Sequence, residues 1–242
     1  MKSISSRQNS WFKRVRDAIR DHEDEIVVEG PKPVADALAL GWKPVMLIQR
    51  AGDDAIGEPS FQFTSEIFDS LAETRSPQNV IGLFARPTGD LGAILMDPRL
   101  VVALDGVQDP GNVGTIVRLA AAFNCAGVVL LPGSADAFAP KAIRASAGAV
   151  LNVPIAKTTA RVLIESGRTM YAADARGSDA ALKKNSILVF GNEGAGVSDE
   201  IRRAAKPVAI RMSERVESLN VAAAAAILLS RNYGQGGRKA AG

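Results

Sequence analysis

Residues 100–123 read LVVALDGVQDPGNVGTIVRLAAAF: a continuous apolar run, a polar turn-rich stretch, then an apolar helical pattern. The run at 100–104 shows no alternation, which suits a strand covered on both faces of a parallel sheet. Residues 105–111 suit tight turning, Asn112 stands where a helix would begin, and that helix is expected over 113–123. Arg118 falls inside it after nearly two turns. Further continuous runs occur at 127–131, 169–173, 187–190 and 207–210, with helical patterns at 140–147, 159–166 and 219–232. The alternation predicts an α/β domain whose parallel strands are joined by crossover helices.

Toward the N-terminus the texture differs. Residues 8–21 predict an amphipathic helix with Phe12, Val15 and Ile19 on one face. Lys13, Arg14, Arg16 and Arg20, with Arg7 just upstream, give it positive charge. Such a face either contacts phosphates or is simply solvated. A strand at 25–28, a helix at 31–40, a strand at 44–48, a short helix at 65–72 and a strand at 80–84 complete a small α/β unit. The domain expectation is therefore a small unit over 1–88, a linker over 89–99 and a larger α/β domain over 100–234. Residues 235–242, rich in Gly with Arg238 and Lys239, predict a disordered tail.

Composition narrows the function classes. The 242 residues are 47% hydrophobic and 23% charged, ordinary for a globular protein. Cys125 is the single cysteine and His22 the single histidine, so neither a disulfide framework nor a transition-metal centre is expected. The N-terminal residues lack an apolar signal segment. The longest apolar run, 221–229, falls short of the roughly 20 residues that span a bilayer. A net charge of +3 is compatible with a polyanionic partner without requiring one.

Three polar segments abut apolar runs: NVGTIVR at 112–118, GNEGAG at 191–196 and SLN at 218–220. All lie at or just beyond the expected carboxyl ends of strands, where open parallel sheets gather ligands. Asn112 is either a helix cap or a ligand contact, and Arg118 either a surface cation or an anchor for a phosphate or carboxylate. The glycines at 191–196 allow close backbone approach. Glu193 among them would repel phosphate, so a cationic or hydroxyl-bearing ligand fits better. Ser218 and Asn220 stand at the mouth of the last helix, whose free N–H groups suit a cap or an anion.

Taken together, Asn112, Gly114 and Arg118, then Gly191, Glu193 and Gly194, then Ile210, Met212, Ser218, Leu219 and Asn220 resemble the three motifs of the SpoU-type (TrmH-like) RNA 2′-O-ribose methyltransferases of the SPOUT superfamily. The resemblance runs over 100–232. More loosely, through 3–16 and Glu29-Gly30, the first ninety residues resemble the small RNA-binding domain that precedes the catalytic domain in the rRNA-directed branch.

The resemblance implies a parallel-sheet α/β domain ending in a trefoil knot, an exception to the rule against threaded chains. It implies S-adenosyl-L-methionine as cofactor, held around Phe190, Gly191, Gly194, Ile210, Met212 and Leu219. It also implies Arg118, Asn112, Glu193, Ser218 and Asn220 as catalytic residues, RNA contacts at Arg7, Lys13, Arg14 and Arg16, and a homodimer. Together with the single cysteine, the scarce metal ligands and the short apolar runs, the expectation is a cytoplasmic protein with no metal and no membrane contact. Ribosomal RNA is the favoured substrate and tRNA the alternative. Arg118 would either assist loss of the 2′-hydroxyl proton or fix the neighbouring phosphate, which then accepts that proton. Arg211 departs from the family pattern, which usually has Pro there. Two rivals stand beside this reading: a non-catalytic RNA-binding protein that keeps the knot, and a dinucleotide oxidoreductase, for which the Gly-x-Gly-x-x-Gly turn is missing.

Overall fold

The computed structural model describes residues 2–21, 23–53, 60–71, 79–213 and 215–234. The chain divides into two compact units, Met1–Pro87 with Phe138–Ile143, and Thr88–Ala137 with Arg144–Gly242. His22, residue 72 and the expected tail at 235–242 lie outside the described residues, and the helix expected over 65–72 ends at Asp69.

In chain order the first unit contains β1 (Lys2–Ile4), α1 (Ser10–Arg20), β2 (Glu25–Glu29), α2 (Pro31–Ala39), β3 (Pro44–Arg50), β4 (Ser60–Phe63), α3 (Ser65–Asp69) and β5 (Val80–Ala85). Its sheet runs β1-β4-β3-β5-β2. β4 is parallel to β1 and β3, and β5 is antiparallel to both β3 and β2. Phe12, Val15 and Ala18, three residues apart on α1, are buried against Ile48, Phe63 and Leu83 of the sheet cluster, while Ile19 is only partly buried. Asn9 starts α1 by accepting the Trp11 N–H at 2.9 Å.

The second unit is built from α4 (Leu91–Met96), β6 (Val101–Asp105), α5 (Pro110–Ala122), β7 (Gly127–Leu130), β8 (Ile155–Lys157), α7 (Ala160–Glu165), β9 (Thr169–Ser178), β10 (Ser186–Gly191), α8 (Asp199–Ala204), β11 (Lys206–Val208) and α9 (Val221–Gly234). α6 (Pro140–Ala145) straddles the division between the units. The six strands run β11-β9-β10-β6-β7-β8, and every neighbouring pair is parallel. Every residue of β6 and β10 is buried, as their unbroken apolar runs require.

The strand order places the site. From β6 the chain steps outward through β7 and β8, then returns so that β10 lies beside β6 on the opposite side. The direction of winding therefore reverses between β6 and β10, and ligands collect at the carboxyl ends bordering such a reversal. Pairing of Leu104 with Phe190 and of Asp105 with Gly191 brings those two ends level.

Three expectations need correction. The linker expected over 89–99 contains α4, which Asp90 caps by accepting the Ala93 N–H and whose Ile94 is buried in the second unit's core. Arg168 fastens the end of this segment, donating to the carbonyls of Leu95, Asp97 and Arg99 at 2.7–2.8 Å. Next, α5 begins at Pro110 under an Asp109 cap, three residues before the expected start, so Asn112 lies within the first turn. Finally, α9 begins at Val221 rather than 219, because the Asn220 side chain accepts the N–H groups of Ala222 and Ala223. β1, β4, β8 and α8 were not expected from the sequence.

Candidate active site

The loop after β6 and the loop after β10 meet through Glu193. Its Oε1 accepts the Asn112 Nδ2 at 2.9 Å and the Asp109 N–H at 3.4 Å, and its Oε2 accepts the Gln108 N–H at 3.2 Å. Partial burial would raise the Glu193 carboxyl, but these donors outweigh it and hold the group below its ordinary range. Its negative charge also lies beside the positive end of α5. Glu193 thus braces two loops, whereas the sequence suggested a carboxylate facing a cationic or hydroxyl-bearing ligand.

Asn112 continues the chain of contacts. While its Nδ2 donates to Glu193, its Oδ1 accepts the Asn220 Nδ2 at 3.1 Å. Asn220 in turn caps α9, so residues from all three polar segments form one hydrogen-bonded series.

The glycine loop is folded by its own residues. Asn192 and Gly196 exchange two backbone hydrogen bonds of 2.9 Å, and Asn192 Oδ1 accepts the N–H groups of Gly194 and Ala195. Asn192 Nδ2 donates to the Gly106 carbonyl at 2.9 Å, and Asp105 Oδ2 accepts the Ser198 N–H at 2.7 Å. A Cβ on Gly191 would stand 2.2 Å from Gly196 C and Val197 N, so only glycine fits there.

Beside this series opens a cleft of about 590 Å³, lined by Phe190, Gly191, Glu193, Gly194, Ser218, Leu219 and Asn220 among others. An adjoining apolar pocket of about 120 Å³ is lined by Val208, Ala209, Ile210, Met212, Leu219 and Leu228, with Ser218 at its wall. Each expected cofactor-binding residue therefore borders one cavity, and Leu219 borders both. The combined size is that of a cofactor site.

Arg118 is not drawn into this arrangement. It is exposed on α5, makes no hydrogen bond or ion pair with any described residue, and lines neither cavity. Of the expected RNA contacts, Arg14 is paired with Glu25 and Arg16 with Asp17. Arg7 and Lys13 are exposed and have no ion-pair partner among the described residues. Arg211 lies 3.9 Å from Asp179, which also pairs with Arg231 at 2.8 Å.

Sequence reasoning missed Asp174, Arg176 and Arg202, which also line the cleft, and the loop-building Asp105 and Asn192. Asp105 carried a signal, being the polar residue that ends an apolar strand. Asp174 and Arg176 sit in a stretch without a motif.

The sequence model of the SpoU rRNA Methylase family matches residues 99–230. A protein of Bacillus subtilis named 23S rRNA (guanosine(2553)-2′-O)-methyltransferase RlmP is 29% identical over 95% of this chain and 98% of its own. The crystal structure of an AdoMet-bound rRNA methyltransferase from Sinorhizobium meliloti superposes with a TM-score of 0.84 at 29% identity, covering 97% of this chain and 98% of that one. The SpoU methyltransferase AviRb of Streptomyces viridochromogenes, at 24% identity over 94% of this chain and 98% of its own, shares the fold with a TM-score of 0.83. By its motif region, its parallel sheet and this family match, the chain belongs to the SpoU rRNA methylase family, within the SpoU-type RNA methyltransferases of the SPOUT superfamily.

Proposed function

We propose that this chain transfers a methyl group from S-adenosyl-L-methionine to a ribose 2′-hydroxyl of ribosomal RNA. One observation carries the reading: the hydrogen-bonded series Glu193–Asn112–Asn220 joins the three motif segments at the edge of a cofactor-sized cleft. The names of the Bacillus and Sinorhizobium relatives support rRNA as the substrate class.

The residues present suit the cofactor. The apolar pocket of Val208, Ile210, Met212 and Leu219 matches a flat aromatic base, and the polar cleft beyond it matches a charged tail. When bound, S-adenosyl-L-methionine supplies an electrophilic methyl group on a sulfonium. Phe190, Gly191 and Leu219 shape the wall it lies against, and Gly194 leaves the rim open.

A ribose hydroxyl must lose its proton as it attacks. A guanidinium releases a proton too reluctantly to act as base, so Arg118 holds the adjacent RNA phosphate, which accepts the hydroxyl proton, and stabilises the developing alkoxide, with the thioether S-adenosylhomocysteine as the leaving group. Its exposure and its lack of partners among the described residues leave its donors available for RNA. Asn112 and Glu193 fix the turn from which α5 projects, and Ser218 and Asn220 fix the entry to α9.

The finer architecture belongs to the same proposal. The C-terminal segment from β10 to α9 forms the trefoil knot, the protein acts as a homodimer in the cytoplasm, and the unit over 1–88 binds RNA through Arg7 and Lys13, with Arg14 and Arg16 beside them. Among the described residues no helix is long and apolar enough to cross a membrane.

The test is methyl transfer from labelled S-adenosyl-L-methionine, with 2′-O-methylation mapped on rRNA and tRNA from cells lacking this protein. Incorporation at one rRNA ribose supports the reading. Incorporation into tRNA alone moves the substrate class, and cofactor binding without transfer to any RNA overturns it.

A further inference from the structure

Five charged side chains of described residues line the cleft: Asp174, Arg176, Glu193, Arg202 and Glu217. Glu193 is committed to Asn112 and to backbone N–H groups. Arg202 is held by the Val197 carbonyl at 2.8 Å and by Asp199. Glu217 is exposed on the loop before α9. Asp174 and Arg176 differ from these: among the described residues each has the other as its ion-pair partner, with the Arg202 charge also acting on Asp174.

The two stand two residues apart on β9, hence on one side of the strand. Arg176 donates from its backbone N–H at 2.9 Å and from Nε at 3.0 Å to Asp174 Oδ1, and from Nη2 at 2.7 Å to Oδ2. The Asp174 side chain is 14% exposed and that of Arg176 73%. Asp174 borders both the apolar pocket and the polar cleft, whereas Arg176 borders the cleft alone. The hydrogen bonds from Arg176 hold the Asp174 carboxyl down at about 2, so it stays ionised at neutral pH. An ion pair with one partner so exposed is worth little in water and opens easily.

Asp174 borders both cavities, so a ligand that fills the apolar pocket with its base and continues into the cleft passes it and enters the space that Arg176 lines. An α-amino-acid end carries one ammonium and one carboxylate, the charge complement of this pair. We propose that Asp174 and Arg176 form the subsite for the amino-acid end of the methyl donor, Arg176 taking its carboxylate and Asp174 its ammonium. One exposed internal ion pair is exchanged for two partly desolvated ones, with no net charge buried. Guanidinium suits the carboxylate because it donates in a planar fork. The inference rests on the cleft being the S-adenosyl-L-methionine site.

Calorimetry on the full chain separates the two claims. S-adenosylhomocysteine carries the amino-acid end, and 5′-methylthioadenosine keeps the adenosine and the thioether without it. Arg176→Gln and Asp174→Asn should each weaken S-adenosylhomocysteine by about tenfold or more, the loss of one charged hydrogen-bonded contact. Both should leave 5′-methylthioadenosine within about twofold, which also reports an intact pocket. Arg176→Lys, which keeps the charge, should retain part of the affinity. Equal losses for both ligands, or no loss for S-adenosylhomocysteine, overturn the subsite. Failure of the unaltered protein to bind either ligand overturns the cofactor reading with it.

Discussion

Asn112 donates from Nδ2 to Glu193 Oε1 across 2.9 Å, although 81 residues of chain separate them. The contact exists because β6 and β10 are adjacent and in register, so the loops leaving their carboxyl ends face each other. Removing either partner leaves polar groups of the other loop without their acceptor or donor. Because these groups are exposed and water can replace the carboxylate, Glu193→Ala should cost about 0.5–1.5 kcal/mol of stability and strongly reduce methyl transfer. Urea unfolding beside a transfer assay checks this. Wild-type stability in Glu193→Ala would show that the brace is energetically idle.

Arg118 is expected to behave in the opposite way. With no internal partner among the described residues, Arg118→Ala should change stability by no more than about 0.5 kcal/mol. Binding of S-adenosylhomocysteine should be unchanged while transfer to RNA is lost. Calorimetry paired with single-turnover assays reads both quantities, and retained transfer removes Arg118 from the catalytic residues.

Gly191→Ala tests the folding of the glycine loop. The added methyl would meet backbone atoms of Gly196 and Val197 at 2.2 Å, and backbone cannot turn aside as a side chain can. A destabilisation of about 1–3 kcal/mol is expected, with weakened cofactor binding because Gly191 lines the cleft. Thermal unfolding and calorimetry measure the two effects.

Acid stability should report on Asp97. Hydrogen bonds from Arg99 hold its carboxyl down at about 2 in the folded chain. A depressed carboxylate contributes stability above its unfolded pKa, about 4, and loses that contribution as pH falls toward 2. Asp97→Asn should be less stable than the parent at pH 7 and should approach it near pH 2. A gap that stays constant from pH 7 to pH 2 would contradict the pairing. Glu193, also held low, adds to the same trend.

RNA affinity should divide the basic residues of the first unit. Arg7 and Lys13 are unpaired among the described residues, whereas Arg14 and Arg16 already face Glu25 and Asp17. Arg7→Ala and Lys13→Ala should each lower the slope of log affinity against log salt by about one. Arg14→Ala and Arg16→Ala should lower it less. Filter binding over a salt series gives the slopes.

The legible and illegible parts of the fold differ by length and by range. The strands around 101–105, 127–130 and 186–191 could be read because each is an unbroken apolar run between turn residues. β1, β4 and β8 could not, since their three or four residues mix polar with apolar side chains and form no unbroken run. α4 reads as linker because Pro87, Gly89, Asp97 and Pro98 enclose it with turn-favouring residues.

The α/β alternation, the buried parallel strands and the three polar segments are all legible in the linear order of residues, because each depends on residues close together in the chain. That Asn112 belongs to Glu193 and Asn220, that Arg118 stands apart from them, and that Asp174 and Arg176 face the cleft emerges only when the chain is folded. Those relationships follow from strand order and register, which are set by burying whole faces of the sheet together. Such burial is a property of the folded chain that no local pattern encodes.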